Sequence, residues 1–263
     1  MRAKRSLGQN FLINERLANS MVSLLDIKHR GKGKIVLEVG PGKGILTRAL
    51  LKEGARVVAF EKDAALTKAL TEEFLSDVRS GMLTLINDDI FKIPLYKNHT
   101  VGKLLSGPYV ILANIPYNIT GAFIKFMFSL SPQPLSAILM LQREVGERIA
   151  RDPKGSILSI SVRVYGTPQY LKSVSRGNFV PKPRVDSAVI SIDGISRRFF
   201  HSINEKKFFD LVRKGFAHKR KKLSRNLGVE ETLLSSCGLS ALARAEDLSP
   251  GAWACVYKKI NEQ

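Results

Sequence analysis

From about residue 33 the chain alternates short apolar runs with segments whose apolar residues recur at helical spacing. KIVLEVG (34–40) is an apolar run that stops at Gly40, the pattern of a strand buried on both faces. GILTRALLKEG (44–54) carries an apolar helical face and stops at Gly54. RVVAFEKD (56–63) predicts a strand, AALTKALTEEFL (64–75) a helix, and MLTLINDDI (82–90) and YVILANI (109–115) two more strands. GAFIKFMFSLS (121–131) predicts a helix, SAILMLQREVGERIAR (136–151) a strand running into a helix, and SILSISVRVYG (156–166) a further strand. Such alternation argues for an α/β fold with a doubly wound sheet. FVPKPRVDSAVISIDGI (179–195) alternates as strands at a sheet's edge do. After it, NEKKFFDLVRKGFAHKRKKLSRNL (204–227) predicts helix with a basic face, and EETLLSSCGL (230–239) and PGAWACVYKKI (250–260) predict short helices. The organisation is thus a core domain of residues 1–195 and a small, basic, mostly helical domain of residues 196–263.

Composition narrows the function. The 263 residues, 44% hydrophobic, suffice for one large core and a smaller one. Forty-two Lys and Arg stand against 23 Asp and Glu, a net charge of +19. That excess points to a polyanionic partner, nucleic acid before an anionic membrane surface. The two cysteines, Cys237 and Cys255, and the scattered histidines at 29, 99, 201 and 218 show no metal-ligand spacing, so no metal is expected. Free, buried thiols in a reducing compartment are the expectation. The basic N-terminus lacks the apolar segment of a secretory signal, and no run approaches the roughly 18 apolar residues of a membrane span, so a soluble intracellular protein is expected.

Five stretches carry candidate chemistry. In LEVGPGKGILT, Gly40, Gly42 and Gly44 alternate directly after the first strand, where backbone can approach a ligand that a Cβ would exclude. Glu61 ends the second strand, placed to accept ribose hydroxyls. The third glycine comes too early for the dinucleotide fingerprint, so the pattern, with Glu38 as its acid, suits S-adenosylmethionine better than NAD. Asp88 and Asp89 end the third strand, where one carboxylate can accept an adenine's exocyclic amine. NIPYNIT (114–120) supplies an amide oxygen at Asn114, backbone carbonyls beside Pro116 and an aromatic face at Tyr117. Two acceptors there can hold both hydrogens of an adenine N6 and aim its lone pair at a methyl group, with Tyr117 as a stacking platform. In NFVPKPRVDS (178–187), Phe179 before two prolines offers a second aromatic wall for an extruded base. Lys219, Arg220, Lys221, Lys222 and Arg225 crowd into a run whose density suits phosphate neutralisation. Each stretch has a purely structural alternative: a tight strand–helix turn, a solvated acidic turn, an Asn-capped Pro turn, a Pro-rich strand with a core Phe, and a solvated basic face.

Taken in order, KRSLGQNFL, EVGPGKGILT, NIPYNIT, FVPKPRVDSAV, GFAHKRKKLSRNL and RAEDLS make the chain resemble, over nearly its whole length, the ribosomal RNA adenine N6-dimethyltransferases of the small-subunit type. The resemblance implies a Rossmann-like class I methyltransferase sheet. It implies S-adenosylmethionine contacts at Asn10, Leu12, Gly40, Glu61, Asp89 and Asn114, and a target adenine among Asn114, Tyr117 and Phe179. It further implies dimethylation of two adjacent adenosines in a hairpin near the 3′ end of small-subunit (16S) rRNA, within an immature small ribosomal subunit whose assembly the protein assists. A cytoplasmic monomer with no membrane and no obligate protein partner is expected, an organelle stroma or matrix being the other setting. One segment departs from the family's pattern: DPKGSILSISV (152–162) lacks the Tyr-Gly pair that many members carry before LS. The macrolide-resistance type, acting on large-subunit rRNA with the same core, is the nearest rival. A DNA adenine methyltransferase and a non-catalytic RNA-binding descendant of the fold are the others.

Overall fold

A computed structural model of the chain describes residues 4, 7–25, 35–92 and 99–262. Arg5 and Ser6 of the N-terminal motif, His29, and Lys34 at the head of the first predicted strand lie outside them. In chain order the elements are β1 (Phe11–Leu12), α1 (Glu15–Ser23), β2 (Ile35–Val39), α2 (Ile45–Lys52), β3 (Arg56–Phe60), α3 (Ala64–Glu73), α4 (Leu75–Ser80), β4 (Leu83–Ile86), α5 (His99–Leu104), β5 (Tyr109–Asn114), α6 (Thr120–Ser129) and β6 (Ser136–Gln142). They continue as α7 (Arg143–Ala150), α8 (Ile157–Arg163), β7 (Thr167–Val174), β8 (Phe179–Val180), β9 (Ser187–Asp193), α9 (Glu205–Gly215), α10 (Leu223–Leu227), α11 (Glu231–Ser235) and α12 (Pro250–Asn261). A seven-stranded sheet has the order β4-β3-β2-β5-β6-β9-β7, with β4 to β6 parallel in that order and β9 antiparallel to β6. Five of six residues in β5 are buried, as a central strand covered on both faces requires. Met21 and Val22 of α1 share one core with Leu46 and Leu50 of α2 and Val36 and Val57 of the sheet.

The chain divides into two units, Met1–Gly146 with Gln169–Ile195, and Glu147–Pro168 with Ser196–Gln263. Composition marks only the crossing at residue 195; the crossings inside α7 and β7 leave no compositional trace. In the second unit the Lys154 ammonium pairs with Glu246 at 2.6 Å and the Gly155 N–H donates to the Glu246 carbonyl, so the loop without the Tyr-Gly pair is held by RAEDLS.

Several expectations are corrected. Residues 157–163 form helix, not strand: the Ser156 hydroxyl accepts from the Ser159 N–H at 3.1 Å and the Ser159 hydroxyl accepts from the Ser156 N–H at 2.8 Å, a reciprocal cap that outweighs the β-branched composition. The strand comes later, as β7, on the outside of the sheet, where half-burial and Pro168 hide it from a hydrophobicity pattern. In consequence β9 lies between β6 and β7 and is no edge strand. The helix predicted over 64–75 breaks at Phe74 into α3 and α4. The basic segment is not one helix either. α9 ends where Gly215 packs directly on the buried Trp253 ring, and the Asn226 amide donates to the Gly215 and His218 carbonyls at 2.6 and 3.0 Å. Residues 216–222 are therefore a turn leading into α10. Cys237 and Cys255 are neither free nor fully buried. The packing of α11 and α12 brings their Cα atoms to 5.8 Å, and they form a disulfide.

Candidate active site

The strand order creates the site. From β2 the chain proceeds to β3 and β4 on one side, then returns to β5 on the other, which leaves a crevice at the carboxyl ends of β2 and β5. Val39 pairs with both Phe60 and Ala113, so the next residues, Gly40, Glu61 and Asn114, stand side by side. There they border a cavity of about 240 Å³. Gly40 has φ +69°, a left-handed conformation, and a Cβ there would meet nothing within 4 Å; the space it would fill is the cavity's. Glu61 is 6% exposed, and its two carboxyl oxygens accept from the Gly42 N–H at 3.1 Å and the Asp63 N–H at 2.9 Å. Burial pushes its pKa up and those N–H groups pull it back, leaving it above the ordinary value. The clearance at Gly40 and the fixed carboxylate of Glu61 fit a nucleoside cofactor.

On the third strand's exit, burial raises the Asp89 carboxyl, but the Lys62 ammonium at 3.0 Å and the Phe91 N–H at 3.1 Å outweigh it and hold the group below its usual range. Asp88 instead closes its own turn, accepting the Asp89 N–H. Asn114 ends β5 with its Nδ2 donating to the Asn10 carbonyl at 3.3 Å, which leaves Oδ1 as its acceptor. Tyr117 is half-buried, its phenol 2.7 Å from the Ser187 hydroxyl; burial raises its pKa and the Ser187 bond opposes that. Phe179 is 2% exposed and packs in the core, so the cavity meets only part of its ring.

Glu38 lies just behind the glycine turn and is fully buried. The Thr47 hydroxyl donates to its Oε2 at 2.7 Å, while Oε1 has no hydrogen-bond partner. Burial, opposed by the Thr47 bond and reinforced by Glu61, raises its pKa from 4.5 to about 8. A carboxyl raised on folding contributes stability that is complete below about pH 4.5 and is lost as pH rises through about 8. In the cofactor-free protein, Glu38→Gln should therefore gain on the wild type between those limits, on the order of 5 kcal/mol across the whole window. The diagnostic is the change with pH in the difference between the two melting temperatures, since an unpaired amide costs the same at every pH. A constant difference would contradict a protonated Glu38.

The N-terminal segment, where the resemblance implies cofactor contacts at Asn10 and Leu12, forms one wall. Lys4 pairs with Asp63 at 2.8 Å and lowers the Asp63 pKa. Phe11 and Leu12 pair antiparallel with Val180 and Phe179. The Ile13 N–H donates to the Asn178 carbonyl at 2.9 Å, and the Asn14 amide to the Asn178 side chain at 2.7 Å. This strap ties the Glu61 end of the cavity to the Phe179 end. Sequence pattern misses it because two-residue strands have no periodicity.

Asn10, Leu12, Gly40, Glu61, Asp89, Asn114, Tyr117 and Phe179 all line the one cavity. Lys219, Arg220, Lys221, Lys222 and Arg225 belong to the second unit, in the 216–222 turn and α10. Lys222 is partly screened by Glu231 at 3.1 Å; the other four are exposed. Among the described residues, no group of three or more His, Cys, Asp or Glu lies placed to hold a metal, and no helix is long and apolar enough to cross a membrane.

The profile of the family described as ribosomal RNA adenine dimethylase matches residues 1–262. A "Ribosomal RNA small subunit methyltransferase A" of Dehalococcoides mccartyi is 35% identical, covering 96% of this chain and 87% of the relative. The protein of the same name from Bacillus cytotoxicus is 34% identical, over 94% and 87%. Two solved structures share the fold at 22% identity: a dimethyladenosine transferase from Plasmodium falciparum, with a TM-score of 0.77 over 96% of this chain and 98% of that one, and the 23S rRNA methyltransferase ErmE, with 0.73 over 96% and 100%. A profile match from end to end, on a cavity with the glycine turn at one side and NIPY at the other, means that the chain belongs to the ribosomal RNA adenine dimethylase family, rRNA adenine dimethyltransferases whose methyl donor is S-adenosylmethionine.

Proposed function

We propose that this enzyme dimethylates N6 of two adjacent adenosines in a hairpin near the 3′ end of small-subunit rRNA. It acts as a monomer on an immature small subunit whose assembly it assists. Relatives named for the small subunit support the choice of rRNA. The observation that carries the chemistry is the single cavity with Gly40, Glu61 and Asp89 toward one side and Asn114, Tyr117 and Phe179 toward the other. The cytoplasm is proposed as the place where that substrate is made; with Cys237 and Cys255 paired, the cysteines no longer argue for it.

In this reading the clearance at Gly40 admits the cofactor, Glu61 accepts from its ribose, Asp89 from its adenine amine, and Asn10 and Leu12 of the strap cover it. Bound S-adenosylmethionine supplies an electrophilic methyl group. Asn114 Oδ1 accepts one hydrogen of the target N6. The Pro116 carbonyl already accepts from the Ile119 N–H at 3.1 Å, so the Ile115 carbonyl is the better second acceptor. Holding both hydrogens turns the nitrogen lone pair out of conjugation. Tyr117 stacks the base, worth ~1–3 kcal/mol. The nitrogen becomes acidic once alkylated, so its proton passes to water without a strong base. Phe179 closes the far side after the base leaves its stack.

N6,N6-dimethyladenosine cannot form a Watson–Crick pair, so reverse transcription stops at it. Small subunits from cells lacking the modification, treated with the enzyme and cofactor, should give a new stop near the rRNA 3′ end, at the 3′-proximal of the two adenosines. Stops confined to large-subunit rRNA would contradict the proposal. For the basic turn, Lys219→Glu, Arg220→Glu and Lys221→Glu together should weaken RNA binding and flatten its salt dependence. The log–log slope should fall by about 0.7–0.9 for each phosphate that the variant no longer neutralises. An unchanged slope would make the run a solvated face.

A further inference from the structure

The motif FVPKPRVDS ends on two residues that neither cofactor nor substrate accounts for, Asp186 and Ser187. Ser187 is fully buried at the start of β9, opposite Gln142 of β6, with its hydroxyl 2.7 Å from the Tyr117 phenol. Asp186 fixes it from the other side. Its carboxylate accepts from the Arg176 N–H at 3.0 Å and pairs with Arg143 at 3.3 Å, and its carbonyl accepts from the Arg143 N–H at 3.0 Å. The Ser187 backbone is thus held by strand pairing and by a clamped neighbour, while Tyr117 sits in a short turn lining the cavity.

We propose that Ser187 is a positioning residue for methyl transfer, fixing the Tyr117 ring where the target adenine must stack. The proposal rests on the role given to Tyr117 above. A phenol oxygen lies on the axis of its ring. Rotation about Cβ–Cγ leaves it in place, whereas a swing about Cα–Cβ carries it away; the Ser187 bond therefore restrains the swing. Without Ser187 the half-buried hydroxyl loses its partner and gains by turning to water, and the ring goes with it. Without the hydroxyl, the ring has no such pull and stays in place.

This predicts an unusual order of effects. Ser187→Ala should lower kcat about tenfold, with the KM for RNA and the cofactor Kd within about twofold of wild type. Tyr117→Phe alone should cost less. Adding Tyr117→Phe to Ser187→Ala should raise kcat back to the Tyr117→Phe level. A merely structural Ser187 would leave the double variant as slow as Ser187→Ala or slower, and that result, or full activity in Ser187→Ala, overturns the proposal. A crystal structure of Ser187→Ala with cofactor supplies a readout that needs no RNA: a Tyr117 ring swung from its wild-type place supports the proposal, and an unmoved ring overturns it. Should the wild type methylate no small-subunit rRNA, the proposed substrate fails, and the crystallographic comparison still decides the role of Ser187.

Discussion

Asn114→Ala should slow methyl transfer by about a hundred- to a thousandfold while RNA affinity changes little, the scale seen when one positioned hydrogen-bonding group is removed from a reacting centre. The reason is geometric. Asn114 closes the central strand β5 at the crevice, and its amide nitrogen is taken by the Asn10 carbonyl at 3.3 Å. That leaves an oxygen acceptor on a rigid element beside Tyr117. An aromatic amine whose lone pair lies in its ring is a poor nucleophile; one whose hydrogens are held out of plane is a better one. Asn114→Asp keeps an acceptor but loses the donor to Asn10, so it should fall between the wild type and the alanine variant. The measurements are single-turnover rates and RNA binding on the same preparations. Equal losses of rate and RNA affinity would remove Asn114 from this role.

The second large effect concerns the donor. Glu61→Ala should weaken S-adenosylmethionine binding by about a hundredfold or more, the loss of two hydrogen bonds to a charged acceptor. Glu61 is suited to the task because its place is set before the cofactor arrives: the Gly42 and Asp63 N–H groups hold one oxygen each. Calorimetric titration of cofactor into each protein checks the prediction, with melting curves to establish that the variant is folded. A cofactor Kd unchanged in a folded Glu61→Ala protein would place the ribose elsewhere.

Much of this architecture is legible in the residues because a parallel sheet buried on both faces writes itself as apolar runs. β2, β3, β5 and β6 are such runs, and the glycine turn and NIPY sit at the ends of β2 and β5, so topology brings the two motifs to one cavity. What escapes the pattern has physical causes. Residues 157–163 are rich in β-branched side chains, and the helix is decided by two serines capping each other. β7 is half-exposed and carries Pro168. The strap depends on a two-residue pairing between Phe11–Leu12 and Phe179–Val180, far apart in sequence. The basic run reads as helix until Trp253, remote from it in sequence, and Asn226, at its far end, stop α9 at Gly215. The disulfide depends on the packing of α11 and α12, and the Tyr117–Ser187 bond joins residues seventy positions apart.

One cavity serves both the methyl donor and the target adenosine of small-subunit rRNA in this mechanism. The most direct test is transfer of labelled methyl groups from S-adenosylmethionine to undermethylated small subunits, with large subunits and DNA in parallel, followed by nucleoside chromatography. Label should appear in N6,N6-dimethyladenosine from small-subunit RNA alone. Label in large-subunit RNA or DNA, or none in any of the three from a protein that binds the cofactor, would contradict that mechanism.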